Sequence, residues 1–304
     1  MSTRELVVLG TASQVPTRHR NHNGYLLLWD GEGILFDPGE GTQRQMISAE
    51  VSASQITQIC ITHFHGDHCL GLAGVIQRIS LDRVPHEVAV RYPASGQAYF
   101  DRLRRASIFK DVSRIRPCPL TDPGDQEELR GGVLSAAPLS HTVESWGYRF
   151  SEPDGLRVLP QKARALGVRG ADIGKAVRDG SVEVDGRVVQ AAEITEVRRG
   201  QSAALIMDTR PCASAVSLAR GVDLLICEST YLATEEREAH ERGHMTARDA
   251  ALLAREAGAR RLVLTHFSQR YPNTKLFLEE AAPIFSDVVA AVDGRRVPVP
   301  DRLR

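Results

Sequence analysis

The chain has 304 residues, 42% of them hydrophobic, which suffices for one large α/β domain, or two small ones, with a sizeable core. Lys plus Arg and Asp plus Glu number 38 each, so bulk charge argues against a non-specific nucleic-acid binder, and a nucleic-acid substrate would need a local basic surface. Cys60, Cys69, Cys118, Cys212 and Cys227 are odd in number, scattered and without a C-x-x-C pair, which suggests neither a disulfide framework nor a thiolate zinc site and leads us to expect free thiols.

Residues 6–9 are apolar and predict a buried strand that runs into a small-residue turn, 10–13, whose amides could face an anion. No basic head, apolar core and cleavage site precede it, and no segment is long enough to span a bilayer, so the expected location is the cytoplasm. Residues 25–29 and 34–36 predict two strands joined at Asp30-Gly31, a hairpin signal, and residues 37–43 form a loop after the second. An apolar run from Ile56 then ends at Thr62, and His63, His65, Asp67 and His68 arrive within six positions. In extended chain, residues two apart point the same way, so His63 and His65 can reach one ion from one side. Gly66 lets the backbone turn and aim Asp67 and His68 at a second.

Residues 70–79 have helical spacing of apolar residues, 88–91 read as a strand, 97–106 as a helix and 133–137 as a strand. His141 follows that last strand, as His63 follows its own, and is the expected third imidazole for the first ion. A strand at 146–150 comes next. Residues 154–199 are charged and broken by glycines, with little apolar periodicity, and predict an insertion that projects from the core. Its first part is basic, with Lys162, Arg164, Arg169, Lys175 and Arg178 opposed by Asp172.

Residues 203–207 restore the core pattern and deliver Asp208, whose carboxylate, costly at a buried strand end unless bound, suits a bridge between two cations. Residues 224–227 repeat the theme and end in Glu228. His244 precedes a helix at 247–257 with Gly258 as its C-cap, and a strand at 261–264 leads to His266, which can close the second metal shell. His19, His22, His86 and His240 lack strand-end context and read as surface or locally bonded residues.

These residues resemble the metallo-β-lactamase superfamily. H-x-H-x-D-H reaches only that far. The segments at 37–43, 62–74, 140–141, 208–211 and 264–271 narrow the resemblance to the ribonuclease Z family, tRNA 3′-processing endoribonucleases, in its short form. The resemblance implies an α/β fold, the four-layer αββα sandwich of a single domain over 1–304, a homodimer, and two Zn2+ per chain, with Mn2+ or Fe2+ open from ligand type alone. It assigns His63, His65, His141 and Asp208 to one ion and Asp67, His68, Asp208 and His266 to the other. It also implies that 154–199 is a flexible arm that grips precursor tRNA, with Ser268 and Arg270 as further substrate contacts. The arm departs from the family by reading Gly167-Val168-Arg169-Gly170-Ala171 where a Gly-Pro pair is usual, and Met207 stands where Gly often precedes the bridging Asp.

The implied reaction removes the 3′ trailer and leaves a tRNA 3′-hydroxyl and a 5′-phosphorylated trailer. Asp67 would both bind metal and hold the nucleophile, while Glu228 and His244 would relay a proton to the leaving oxygen. A small-substrate phosphodiesterase or hydrolase on the same scaffold is the rival enzyme, against which the basic insertion argues. A non-catalytic RNA-binding subunit is the rival of another class, against which the filled ligand positions argue.

Overall fold

The computed structural model describes residues 4–302. Two seven-stranded sheets make the framework of one unit, residues 4–151 and 202–301. The first sheet runs Arg296–Pro298, Arg4–Gly10, Gly24–Trp29, Glu32–Phe36, Gln58–Cys60, Val88–Pro93, Ile115–Leu120. The second runs Val288–Ala290, Arg261–Thr265, Leu224–Glu228, Ser202–Ile206, Trp146–Ser151, Gly132–Pro138, Gln126–Leu129. The hairpin at Asp30-Gly31 is a two-residue turn with both φ values positive, 50° and 101°, the conformation that an Asp-Gly pair tolerates.

Strands that are buried on both faces must be apolar throughout, and the central ones here are: Tyr25, Leu27, Ile34 and Phe36 pack with Tyr148, Phe150, Leu205 and Ile226 in a core shared by both sheets. Trp29 meets Phe150 edge-on at 5.3 Å within it. The outer face of the first sheet packs against helix Leu72–Leu81, and that of the second against helices Ala213–Ala219 and Ala247–Ala257, which gives the α, β, β, α layering expected. Helix Ala247–Ala257 begins after Thr246, whose hydroxyl accepts from the Asp249 amide, and stops at Gly258 with φ 66°, the C-cap that the sequence predicts.

Parallel pairing decides where chemistry can sit. Glu32–Phe36, Gln58–Cys60 and Val88–Pro93 run in one direction in the first sheet, and Ser202–Ile206, Leu224–Glu228 and Arg261–Thr265 do so in the second. Registers that set Phe36 beside Cys60, and Ile206 beside Cys227 and Leu264, make each set of strands end at one level. The loops that follow carboxyl strand ends are where open α/β sheets bind ligands.

Two expectations need correction. Asp67 and His68 are not aimed by a glycine turn but sit in a short helix, Gly66–Cys69, which brings the His68 ring to 4.2 Å from that of His63. Residues 152–201, with Arg302, form a compact unit with a core of its own. Ala163, Val168, Ala176, Val182, Val189 and Ile194 fill it, between helices Pro160–Ala165 and Ala171–Asp179 and two antiparallel ladders, 155–158 with 195–198 and 181–184 with 187–190.

Candidate metal centre

Five candidate ligands follow strands, while Asp67 and His68 sit in the helix Gly66–Cys69. Strand Gln58–Cys60 leads to His63 and His65, Gly132–Pro138 to His141, Ser202–Ile206 to Asp208 and Arg261–Thr265 to His266. Asp208 and His266 hold positive φ, 39° and 61°, as does Asp37 at 44°, a backbone cost that non-glycine residues bear where surrounding contacts hold them there.

Four imidazoles have their Nδ1 atoms occupied, which directs Nε2 to the cleft. His141 Nδ1 donates to the Gly243 carbonyl at 2.8 Å, and His68 Nδ1 donates to Asp37 Oδ2 at 2.8 Å. Thr62 Oγ1 donates to Asp37 and so accepts from His63 Nδ1 at 3.0 Å, and Thr230 Oγ1 donates to Glu228 and accepts from His266 Nδ1 at 2.7 Å. Such outer partners set tautomer and ring orientation. His65 differs, facing the cluster with Nδ1.

The separations fit divalent metal. Tetrahedral donors around one ion at zinc–nitrogen distance stand roughly 3.3 Å from each other. His65 Nδ1 lies 2.9 Å from His63 Nε2 and 3.4 Å from His141 Nε2, and Asp208 Oδ2 lies 3.5 and 3.7 Å from those same two Nε2 atoms. In a second group, Asp67 Oδ2 is 3.3 Å from His68 Nε2 and 3.4 Å from His266 Nε2, while Asp208 faces His68 at 3.3 Å through Oδ2 and His266 at 3.2 Å through Oδ1. Asp208 belongs to both groups. Its Oδ1 and His266 Nε2 are buried without a hydrogen-bond partner, the condition of donors shaped for a cation.

Burial lowers His63, His65 and His141 below the ordinary imidazole range, which favours the neutral form that binds metal. Burial works against charge on His68 as well, but Asp208, Asp67 and Asp37 outweigh it and raise its pKa. Asp208 is held well below the carboxylate range despite burial by His266, His68, His244 and His63.

Glu228 and His244 adjoin this cluster. Glu228, 0% exposed, accepts from the Thr209 amide at 2.7 Å, Thr230 Oγ1 at 2.6 Å, the Met245 amide at 3.2 Å and His244 Nδ1 at 3.1 Å. Burial opposes the charge on His244, but Glu228 and Asp208 raise its pKa to about 9, which favours the imidazolium. Asp67, Asp208, His141, His244 and His266 line one cavity of about 800 Å³.

Comparison with known proteins sets these residues in a family. The metallo-beta-lactamase superfamily model matches residues 17–155, and the beta-lactamase superfamily domain model matches 188–267. Ribonuclease Z of Streptomyces coelicolor is 56% identical, the match covering 99% of this chain and 100% of that one. The chain belongs to the ribonuclease Z family. Ribonuclease Z of Salinispora arenicola is 54% identical over 99% of this chain and 98% of that one. The crystal structure of human tRNase Z, short form, superposes with a TM-score of 0.70 at 27% identity, covering 98% of this chain and 100% of that one.

Within this ribonuclease Z fold the remaining sequence candidates divide. Ser268 is buried and lines the cavity, and Arg270 lines it too, with its guanidinium on Glu238. Lys162, Arg164, Arg169, Lys175 and Arg178 belong to the inserted unit, where all five are exposed. His22 is buried and bonded to the Gln14 carbonyl at 3.1 Å, and His86 is bonded to the Ile56 carbonyl at 2.8 Å, as locally satisfied residues. Sequence reasoning gave no role to Asp37, Thr230 and Gly243, the partners that orient His68, His266 and His141. A carboxylate directly after the strand that ends at Phe36 was the available signal for Asp37.

Proposed function

We propose that this chain is a dinuclear zinc endoribonuclease that removes the 3′ trailer from precursor tRNA, leaving a tRNA 3′-hydroxyl and a 5′-phosphorylated trailer. The observation that carries the reading is the convergence of seven donor side chains into one group of His63, His65, His141 and Asp208 and another of Asp67, His68 and His266, with Asp208 3.3 Å from His68 and 3.2 Å from His266. His63, His65, His141 and Asp208 hold one zinc, and Asp67, His68, Asp208 and His266 the other. Bound divalent cations supply an activated water and neutralise charge that develops on the scissile phosphate.

The protein's own groups do the rest. Asp67, whose Oδ2 faces both His68 and His266, accepts the proton of the attacking water and orients it. His244 lines the cavity with Nδ1 tied to Glu228, so its charged ring donates a proton to the tRNA 3′-oxygen as that leaves. Glu228 keeps that ring charged and aimed. Lys162, Arg164, Arg169, Lys175 and Arg178 of the inserted unit bind tRNA phosphates, and Ser268 and Arg270 contact the strand near the cut. The working form is a cytoplasmic homodimer; no described helix is long and apolar enough to cross a membrane.

Incubating the purified protein with a 3′-extended precursor tRNA, with and without chelator, tests the reading. Cleavage at the trailer junction that chelator abolishes and zinc restores is expected, with about two metal ions per chain by elemental analysis. Cleavage that persists at near-zero metal content overturns it.

A further inference from the structure

Carboxylates line the cavity, Asp67, Asp208 and Glu241 among them. A phosphodiester strand entering it needs cations at the rim. Among the described residues that line it, Arg242 and Arg270 are the only Lys or Arg side chains. Glu238 holds both. Its Oε2 accepts from Arg270 Nη1 at 2.9 Å, and its Oε1 accepts from Arg270 Nη2 at 2.9 Å and Arg242 Nε at 3.0 Å. Arg270 is also 4.9 Å from the centroid of Tyr231, whose ring lies 6.0 Å from that of His244.

Helix Glu236–Arg242 places Glu238 and Arg242 four residues apart on one face, and Arg270 comes from the loop after His266. A second tie joins these segments: the Tyr271 hydroxyl donates to Glu235 Oε2 at 2.6 Å. Isolated exposed ion pairs are worth little in stability, so stability alone does not account for a carboxylate spent on both guanidiniums of one cavity. A guanidinium is a flexible cation until something fixes its plane. The fork from Glu238 and the face of Tyr231 do that for Arg270.

We propose that Glu238 is a positioning residue for RNA: it presets Arg270, over the Tyr231 ring, and Arg242 beside it to receive phosphates of the strand next to the cut. The proposal rests on the ribonuclease reading above. Glu238 carries no substrate contact of its own. It lowers the ordering cost of binding by arranging the two arginines before substrate arrives.

Steady-state kinetics of the full-length, metal-loaded protein on 3′-extended precursor tRNA test this. Glu238→Ala is expected to raise KM about tenfold with kcat within about twofold, because the lost contact is uniform binding. In an Arg270→Ala background the same change is expected to add much less, since Glu238 acts largely through that arginine. Arg270→Lys keeps the charge but loses the planar fork, and its KM is expected to rise as well. An unchanged KM in Glu238→Ala overturns the proposal, and so does a lowered one, which would make Glu238 merely a repulsive acid. An undiminished effect in the Arg270→Ala background overturns it too. Metal content and melting temperature report whether Glu238→Ala is folded, and Glu238→Gln, closer in shape, decides if it is not, with a raised KM expected and an unchanged one fatal. Wild-type protein that leaves precursor tRNA uncut defeats the function reading itself, a distinct outcome.

Discussion

At the scale of single residues, the centre depends on side chains that reach no substrate. Asp37 Oδ2 accepts from His68 Nδ1, and its Oδ1 accepts from the Thr62 amide at 2.7 Å. In Asp37→Asn the amide group can satisfy only one of these partners and sets a donor against the other. Metal affinity is expected to fall about 10–100-fold, read by competition with a chromogenic chelator. An affinity within twofold of wild type would show that His68 needs no such partner. Glu228 offers a test with a sign. His244 is raised to about 9 by carboxylates that overcome its burial, so it is charged below that pH and loses its proton above it. If it is the general acid, kcat falls as pH rises through about 9, and Glu228→Gln, which removes part of the raising charge, moves that limb to lower pH. A limb that stays in place in Glu228→Gln assigns it to another group.

At the scale of elements, the loop from Thr62 to His65 is anchored by the residue pointing the other way. Phe64 packs against Tyr92 at 5.9 Å and Tyr99 at 5.7 Å, while the histidines on either side face the cleft. Gly96, at the start of helix Gln97–Arg104, makes room for it, since a Cβ there would stand 1.9 Å from the Phe64 ring. Gly96→Ala must displace that ring and, through the backbone, both imidazoles. Activity on precursor tRNA is expected to drop about tenfold or more, with metal content reduced and far-UV circular dichroism unchanged. Full metal content and activity would mean that the loop is held from the cleft side alone. Elements also explain what the sequence concealed. Helices Thr42–Ser48, Ala213–Ala219 and Lys275–Ala281 have seven residues each, too few turns to display a period, and they are helical because a sheet lies beneath them.

At the scale of the whole molecule, Asp37, Asp67, Asp208 and Glu228 are buried close to His63, His68 and His266. Bound cations offset that concentration of carboxylate charge, so ion binding stabilises the native state by mass action, about 2.7 kcal/mol for one ion at a hundredfold excess over Kd. Chelation is expected to lower Tm by roughly 5 °C, with recovery on adding zinc. A melting temperature indifferent to chelator would separate the fold from the metal. The inserted unit gives the other test at this scale. If Lys162, Arg164, Arg169, Lys175 and Arg178 bind phosphates, changing these five to Ala should weaken precursor binding and make its salt dependence shallower. Hydrolysis of a small chromogenic phosphodiester should hold, and an unaltered salt slope would return the unit to a role other than RNA contact.

The sequence by itself determined the fold class and the neighbourhood of the site. His63, His65, Asp67 and His68 announce themselves by local spacing, and His141, Asp208 and His266 by following apolar strands, patterns that survive without any long-range contact. It also marked helix Ala247–Ala257, because its apolar spacing and the stop at Gly258 are local signals. Only the tertiary structure decided what orients those donors. Asp37 meets His68 because Phe36 and Cys60 are in register, Gly243 meets His141 across 102 positions, and Glu238 meets Arg270 across 32. The core of the inserted unit was hidden for a related reason: six small or aliphatic residues dispersed over short elements form no period, and their common interior exists only once the ladders close. Ligands of one ion can be spaced by the local chain, whereas their supporting partners are chosen by strand pairing and loop packing, which no local pattern encodes.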